Sequence, residues 1–372
     1  MLKLGAAKVL VAAGALALLY SVVTFVPYAT ADTGESATTR AATWARDHRL
    51  GGLVDWAEQR MFSSPPAAEP ATRLEVLAPA SDTTPISSDT TQAVVEPQYE
   101  PALLSPVLTP ALENEGVWRA VVTASEHTAV WTTGDRPLVE SPSVLASYAV
   151  IDQEQTRAEL YNGPEIPGGT GWSKYRKVPA SSHDSLVATF NGGFRLEHSM
   201  GGYYTEGRTV QKLRTGAATL AIDERGKIYV GNLGRDIKFS AANPNGFVSL
   251  RQNINLLVDA HRNVVGKNAW QFGAWSDGNL YIMRSSLCER RDGKLMYAIV
   301  GKVDASQLAD VLVRAGCERA MELDVNSAWP KFMSYLHGVP NKLDKRSTGR
   351  DDLYLNGSSK EFVALFRRGS PA

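Results

Sequence analysis

Two cysteines in 372 residues, Cys288 and Cys317, are too few for a disulfide-rich scaffold or a four-thiolate zinc site. A charge surplus is also missing. Lys+Arg and Asp+Glu number 39 each, so counterion release gives no drive toward nucleic acid, and no nucleic-acid partner is expected. The chain has no G-x-S-x-G elbow, no Walker loop, no G-x-G-x-x-G and no H-E-x-x-H, and of its six histidines only His198 has even a weak ligand spacing. What is present is apolar mass. With 44% hydrophobic residues and 31 glycines the chain has the material for a packed core and for many tight turns.

The longest apolar run stands at the N-terminus. Lys3 and Lys8 precede an uncharged stretch, residues 9–26, about long enough to cross a bilayer as a helix. The lysines keep its start in the cytoplasm and send the remainder across the membrane. Ala29-Thr30-Ala31 fits a signal-peptidase site before Asp32, so residues 1–31 are an anchor or a signal peptide. The length of the run favours the anchor: a single-pass membrane protein with an extracytoplasmic C-terminal domain, secreted if the signal is cleaved. Residues 40–61 suggest a short amphipathic helical segment broken near Gly51-Gly52, on the membrane surface or on the domain. Nine of the 19 prolines then fall between Pro65 and Pro110, and Arg73 is the only basic residue from Phe62 to Glu115, which reads as an extended linker. Residues 32–115 are thus a short helix and a Pro/Ser/Thr-rich linker, and 116–372 are the globular domain.

In that domain, apolar strand-like runs alternate with Gly, Asn and Asp turn signals. One helix is expected after Asp304, with Leu308, Val311, Leu312 and Ala315 on its apolar face and Gly316 at its stop. The expected class is α+β, a mixed sheet domain with flanking helices. Cys288 and Cys317 enclose a loop of about thirty residues whose closure contributes roughly 3–4 kcal/mol if they are joined. The alternative is two separate thiols, with Cys317 buried after the helix.

Chemistry concentrates in two segments. The first is the strand Met321 to Asn326. Period-two alternation sets Met321, Leu323 and Val325 against Glu322, Asp324 and Asn326, one apolar face and one row of oxygens. Neighbouring carboxylates repel, which raises one pKa and poises the pair for proton transfer or for a hard divalent cation such as calcium. Trp329 follows as a platform for a sugar ring, and Trp270 and Trp275 are further candidates for glycan contact. The second segment is Asn191-Gly192-Gly193-Phe194, continued by Gly202 through Arg208. The paired glycines are expected to take positive φ and present Asn191 at a sharp turn. Glu206 and the arginines Arg195, Arg208 and Arg214 crowd the same stretch, which suits an anionic carbohydrate because guanidinium forks match phosphate oxygens.

These segments, together with RQNINLLVD and LADVLVRAG, resemble the phosphodiester glycosidase family, whose animal member removes N-acetylglucosamine from a sugar phosphodiester and whose bacterial members are linked to exopolysaccharide. The N-G-G-F turn falls on residues 191–194 and the late acidic strand on Leu323 and Asp324. The resemblance implies a hydrolase acting on a phosphate-linked or cell-envelope glycan. Asp324, Glu322 and Asn191 are then the catalytic candidates, and Gly192, Gly193, Glu206, Arg208, Arg214, Asn326 and Trp329 the substrate contacts. Val325-Asn326-Ser327 stands where the family usually has three glycines and a serine, and residues 268–273 lack a family arginine. These departures imply another substrate, or a glycan-binding protein that does not cleave.

Overall fold

The computed structural model describes residues 18–30, 36–76, 99–124, 127–266, 272 and 280–369. The apolar runs marked as strands form strands and gather into three sheets whose neighbours are all antiparallel. The largest has eight strands, in the order Arg119–Ala124, His127–Asp135, Ala146–Ile151, Leu295–Val303, Ile282–Arg290, Cys317–Val325, Leu256–Asp259 and Arg262–Asn263. A five-stranded sheet joins Val339–Lys342, Phe332–Leu336, Leu186–Asn191, Phe362–Arg367 and Thr156–Tyr161. The other joins Arg208–Gln211, Tyr203–Thr205, Phe247–Gln252, Ala218–Asp223 and Ile228–Asn232.

Leu287, Tyr297 and Met321 of the large sheet share one core with Phe190, Val363 and Leu220 of the two smaller sheets. The opposite face of the large sheet packs under the helix Ala305–Arg314, whose Leu308, Val311 and Leu312 meet Cys288 and Met296. A sheet covered on both faces needs apolar residues on both, so its central strands read as continuous apolar runs. The helix forms as expected. Asp304 and Gln307 make a reciprocal capping box, and Gly316 takes φ +89° just past the end. The domain is a mixed, mostly β structure with few helices. Cys288 and Cys317 are joined in a disulfide between neighbouring strands, with Cα atoms 5.7 Å apart, which decides between the two alternatives.

Ahead of the domain, residues 18–30 are helical and residues 9–17 of the expected span lie outside the described residues. Among the described residues no helix is long and apolar enough to cross a membrane. The amphipathic segment is two helices, Ala37–Asp47 and Gly51–Phe62. The break falls at residues 48–50, where Arg49 takes φ +63°, so Gly51 and Gly52 open the second helix instead of interrupting one. The Arg46 guanidinium reaches across to Glu58 at 2.7 Å and fixes the pair. Asp47 accepts from Arg195 of the domain at 3.0 Å, and the Tyr281 amide donates to the Phe62 carbonyl at 2.8 Å, so the helices rest on the domain.

The segment expected to be a linker lies on the domain at both described ends. The Ala71 amide bonds Pro142 and the Lys345 amide bonds Glu75, each at 3.1 Å. Buried Glu115 pairs with buried Arg136 at 2.7 Å. An extended proline-rich chain leaves its polar groups without internal partners, and here neighbouring domain groups take them.

Candidate active site

The acidic strand runs from Cys317 to Val325, between Ile282–Arg290 and Leu256–Asp259. Its alternation does not hold to the end. Ser286 pairs with Glu322 while Arg284 pairs with Val325, so one extra residue bulges between them. The two carboxylates consequently face different partners. Glu322 is fully buried and accepts from the Arg284 guanidinium at 2.6 Å, and its other oxygen has no hydrogen-bond partner among the described residues. Glu322, expected beside Asp324 as a catalytic candidate, stands in the buried stretch of the strand as the counter-charge of a buried arginine. Burial pushes its carboxyl above the usual range, with Arg284 opposing and the Asp324 charge adding a smaller upward push.

Asp324 reaches the surface of a cleft of about 1530 Å³ between the helical pair and the domain, which Asn326, Trp329, Lys360, Arg195 and His198 also line. Its Oδ1 accepts from the Val325 amide at 2.8 Å and its Oδ2 from Lys360 Nζ at 3.1 Å. That ammonium lies 3.3 Å from the centroid of the Trp329 ring. Burial raises the Asp324 carboxyl above the usual carboxylate range, and the Lys360 charge is the largest influence holding it down. Asn326 follows the bulge at φ +67°, its Oδ1 accepting from the Ala328 amide at 2.7 Å, and this turn carries Trp329 into the cleft. Among the described residues no three His, Cys, Asp or Glu side chains gather as a metal site, and Glu322 is committed to Arg284 instead of a cation. Trp270 and Trp275 lie outside the described residues.

Of the N-G-G-F turn Phe194 lines the cleft, while Asn191, Gly192 and Gly193 support the acidic strand from behind. Asn191 Oδ1 accepts from the Tyr297 hydroxyl at 2.6 Å and the Lys331 amide at 3.0 Å. Its Nδ2 donates to the Gly192 carbonyl at 2.8 Å and to Ser285 Oγ at 3.2 Å. Ser285 Oγ donates in turn to the Asp324 carbonyl at 2.9 Å and accepts from the Asp324 amide at 3.1 Å. With every polar position of the amide used, Asn191 positions Asp324 and leaves nothing for a sugar hydroxyl. Gly192 and Gly193 do not take positive φ. They are small because space is short: a Cβ on Gly192 would sit 2.4 Å from Glu361 Oε1, and one on Gly193 would sit 3.1 Å from Asn253.

Two further groups in this scaffold carried no local sequence signal. Glu361 is buried against Arg251 at 2.7 Å and accepts from the Gly193 amide at 3.1 Å. Asn253 accepts from the Phe194 amide at 3.2 Å and donates to the Glu322 and Leu323 carbonyls at 2.9 Å each, which ties the glycine turn to the acidic strand. Asn253 sits in the RQNINLLVD segment, so that segment was noticed without its role. Lys360 was missed because it lies 36 residues from Asp324 in sequence.

The remaining candidates stand away from the cleft. Glu206 accepts from the Ser173 amide at 2.9 Å, and Arg208 donates to the Thr170 carbonyl at 3.1 Å while its guanidinium carbon lies 4.0 Å from the centroid of Trp172. Both hold the loop around residues 168–174. Arg214 donates to the Met200 and Ile254 carbonyls at 2.7 Å each and to Asn255 at 2.9 Å, which makes it a loop clamp.

A mostly β domain with a cleft carboxylate paired to a lysine that lies against an indole is the class of site defined by this geometry. Residues 184–324 match the model of the phosphodiester glycosidase family, so the resemblance read from the sequence holds over that span, which ends on Asp324 itself. No curated relative matches the chain at a significant level. Among solved structures, the catalytic domain of zebrafish N-acetylglucosamine-1-phosphodiester alpha-N-acetylglucosaminidase, auto-inhibited by its pro-peptide, is similar at 16% identity and TM-score 0.41, over 66% of this chain and 91% of that one. A hypothetical protein from Synechocystis is similar at 11% identity and TM-score 0.40, over 66% of this chain and 63% of that one.

Proposed function

We propose that the chain is a glycosidase that hydrolyses the glycosyl bond of a phosphate-linked or cell-envelope glycan, and that it works from the extracytoplasmic side of a membrane. The observation that carries this reading is Asp324: a cleft carboxylate within the family-matched span, paired with Lys360 beside the Trp329 ring. In the proposed reaction water forms a new bond to the anomeric carbon as the bond from that carbon to the phosphate oxygen breaks, and the proton the water loses ends on the released phosphate. The electron pair leaves with the phosphate, a weak base that needs little protonation to depart. The barrier then lies in stabilising a positive, oxocarbenium-like carbon and in placing the water. Asp324 supplies the negative charge, Trp329 a face for the sugar ring, and Lys360 a cation both for the ionised state of Asp324 and for the departing phosphate.

The location rests on the apolar run of residues 9–26 behind Lys3 and Lys8, and on the Cys288–Cys317 disulfide, a bond that persists in oxidising compartments. Val325-Asn326-Ser327, in place of a glycine run, favours a second reading: an exopolysaccharide-associated protein that binds glycans without cleaving them. Incubating the purified chain with N-acetylglucosamine phosphodiesters and with envelope polysaccharide separates the two. Release of reducing sugar that disappears in Asp324→Asn supports the enzyme. Saturable binding with no release supports the binder.

A further inference from the structure

Two unlike sets of side chains line the cleft that holds Asp324. Asp324, Lys360 and the Arg46–Glu58 pair are charged, with Trp329 beside Lys360. The apolar set is built from Leu53, Val54, Met61 and Phe62 of the second N-terminal helix and from Leu280 and Met283 at the head of a strand of the large sheet. Leu53 and Met61 are 64% and 65% exposed there, a poor use of two large side chains unless an apolar group covers them. A sugar phosphodiester made only of polar groups would leave this wall wet.

Apolar exposure is concentrated in the N-terminal part of the chain. Ten of the nineteen exposed large apolar side chains among the described residues lie between Leu18 and Met61. They run from Leu18, Leu19, Val22 and Val23 on the helical residues 18–30 to Trp56 and Met61 on the second helix. Trp44 Nε1 donates to Thr24 Oγ1 at 3.1 Å, which joins that first helical stretch to the pair lining the cleft. The apolar wall is therefore continuous with the part of the chain that carries the expected membrane segment.

We propose that the substrate is a lipid-linked glycosyl phosphodiester, one whose phosphate carries a long hydrocarbon chain on the side away from the sugar. This rests on the glycosidase reading and names its substrate class. The phosphate sits toward Lys360, the sugar on Trp329, and the first part of the hydrocarbon lies along Leu53 and Met61 while the rest stays in the bilayer. The Lys360 ammonium fits the phosphate charge and the apolar side chains fit the hydrocarbon, and a soluble polysaccharide segment would satisfy only the first.

The test is binding of methyl phosphate and dodecyl phosphate to the full chain in lipid nanodiscs, for the wild type and for Leu53→Ser/Met61→Ser, with hydrolysis of methyl and dodecyl N-acetylglucosaminyl phosphodiesters followed in parallel. Bulk partitioning into the disc is common to both proteins, so their difference reads the cleft. Several buried methylenes correspond to at least about a tenfold tighter binding of the dodecyl than of the methyl compound in the wild type. That preference is expected to fall at least threefold in the double variant, with unchanged circular dichroism and unchanged binding of methyl phosphate. Equal chain-length preference in the two proteins, or none in either, overturns the lipid assignment whether or not sugar is released. Absence of hydrolysis alongside the expected binding pattern overturns the glycosidase reading instead.

Discussion

Lys360 Nζ stands 3.1 Å from Asp324 Oδ2 and 3.3 Å from the centroid of the Trp329 ring, so one ammonium serves a carboxylate and an indole at the wall of the same cleft. The arrangement makes the charge state of Asp324 depend on a residue outside its own sheet. Asp324 belongs to the eight-stranded sheet, and Lys360 stands just before the strand Phe362–Arg367 of a five-stranded one. The site exists only when those two sheets are packed together.

Replacing Asp324 by Asn should remove the charge while keeping the Oδ1 acceptor for the Val325 amide. Turnover is expected to fall by roughly a thousandfold or more, because the lost interaction acts on charge that develops only in the transition state. Stability should change little: relief from burial of an ionised group offsets the loss of the Lys360 pair, which retains its contact with Trp329. Assays of released sugar together with a thermal melt check both halves. An unfolded Asp324→Asn protein would make the residue structural.

The pH profile follows from the direction of the Asp324 shift. Its folded-state pKa is raised, chiefly by burial, so the carboxylate is lost on acidification at a pH above the ordinary carboxylate range. The acid limb of kcat/KM is expected there. Lys360 holds that pKa down, so Lys360→Met should move the acid limb to still higher pH as well as lower the plateau. Lys360→Arg should keep the limb near its original place. A limb that stays fixed in Lys360→Met would show that the titrating group is not Asp324.

Glu322 separates what local pattern says from what packing decides. The period-two reading put Glu322 and Asp324 together on one face, and the residue types were those of a site. The bulge between the Ser286–Glu322 and Arg284–Val325 pairings, and the arginine on the next strand, are set by residues nearly forty positions away. No local pattern reports them. The strands, the capped helix after Asp304 and the nearness of Asp324 to Trp329 were legible because each is written in contiguous residues. Lys360, Ser285, Asn253 and the Arg251–Glu361 pair were not, since each matters only through strands that meet after folding. The glycines were read for conformational freedom, whereas Gly192 is small because Glu361 occupies the space a side chain would need.

Glu322→Gln accordingly should damage the fold and spare the chemistry. Loss of the charge opposite fully buried Arg284 is expected to cost about 3 kcal/mol. The folded fraction should turn over with an acid limb displaced only slightly, and downward if at all, since removing a neighbouring negative charge eases ionisation of Asp324.

The disulfide tests both the fold and the compartment. Cys288 and Cys317 are 29 residues apart in sequence and fully buried, on neighbouring strands beneath the helix Ala305–Arg314. The loop that the bond closes runs through the strand Leu295–Val303 and the helix Ala305–Arg314, so reduction loosens the connection to the helix whose Leu308, Val311 and Leu312 cover one face of the large sheet. A double Cys288→Ser/Cys317→Ser variant is expected to lose about 2–4 kcal/mol from the closed-loop effect, with a further cost for two buried hydroxyls that must find partners. Cys288→Ala/Cys317→Ala avoids that second cost and isolates the first. Both should be measured by denaturant unfolding against the oxidised wild type. In the wild type, alkylation after unfolding without reductant should label neither cysteine. Labelling of both would remove the covalent link and, with it, the chemical support for an oxidising location.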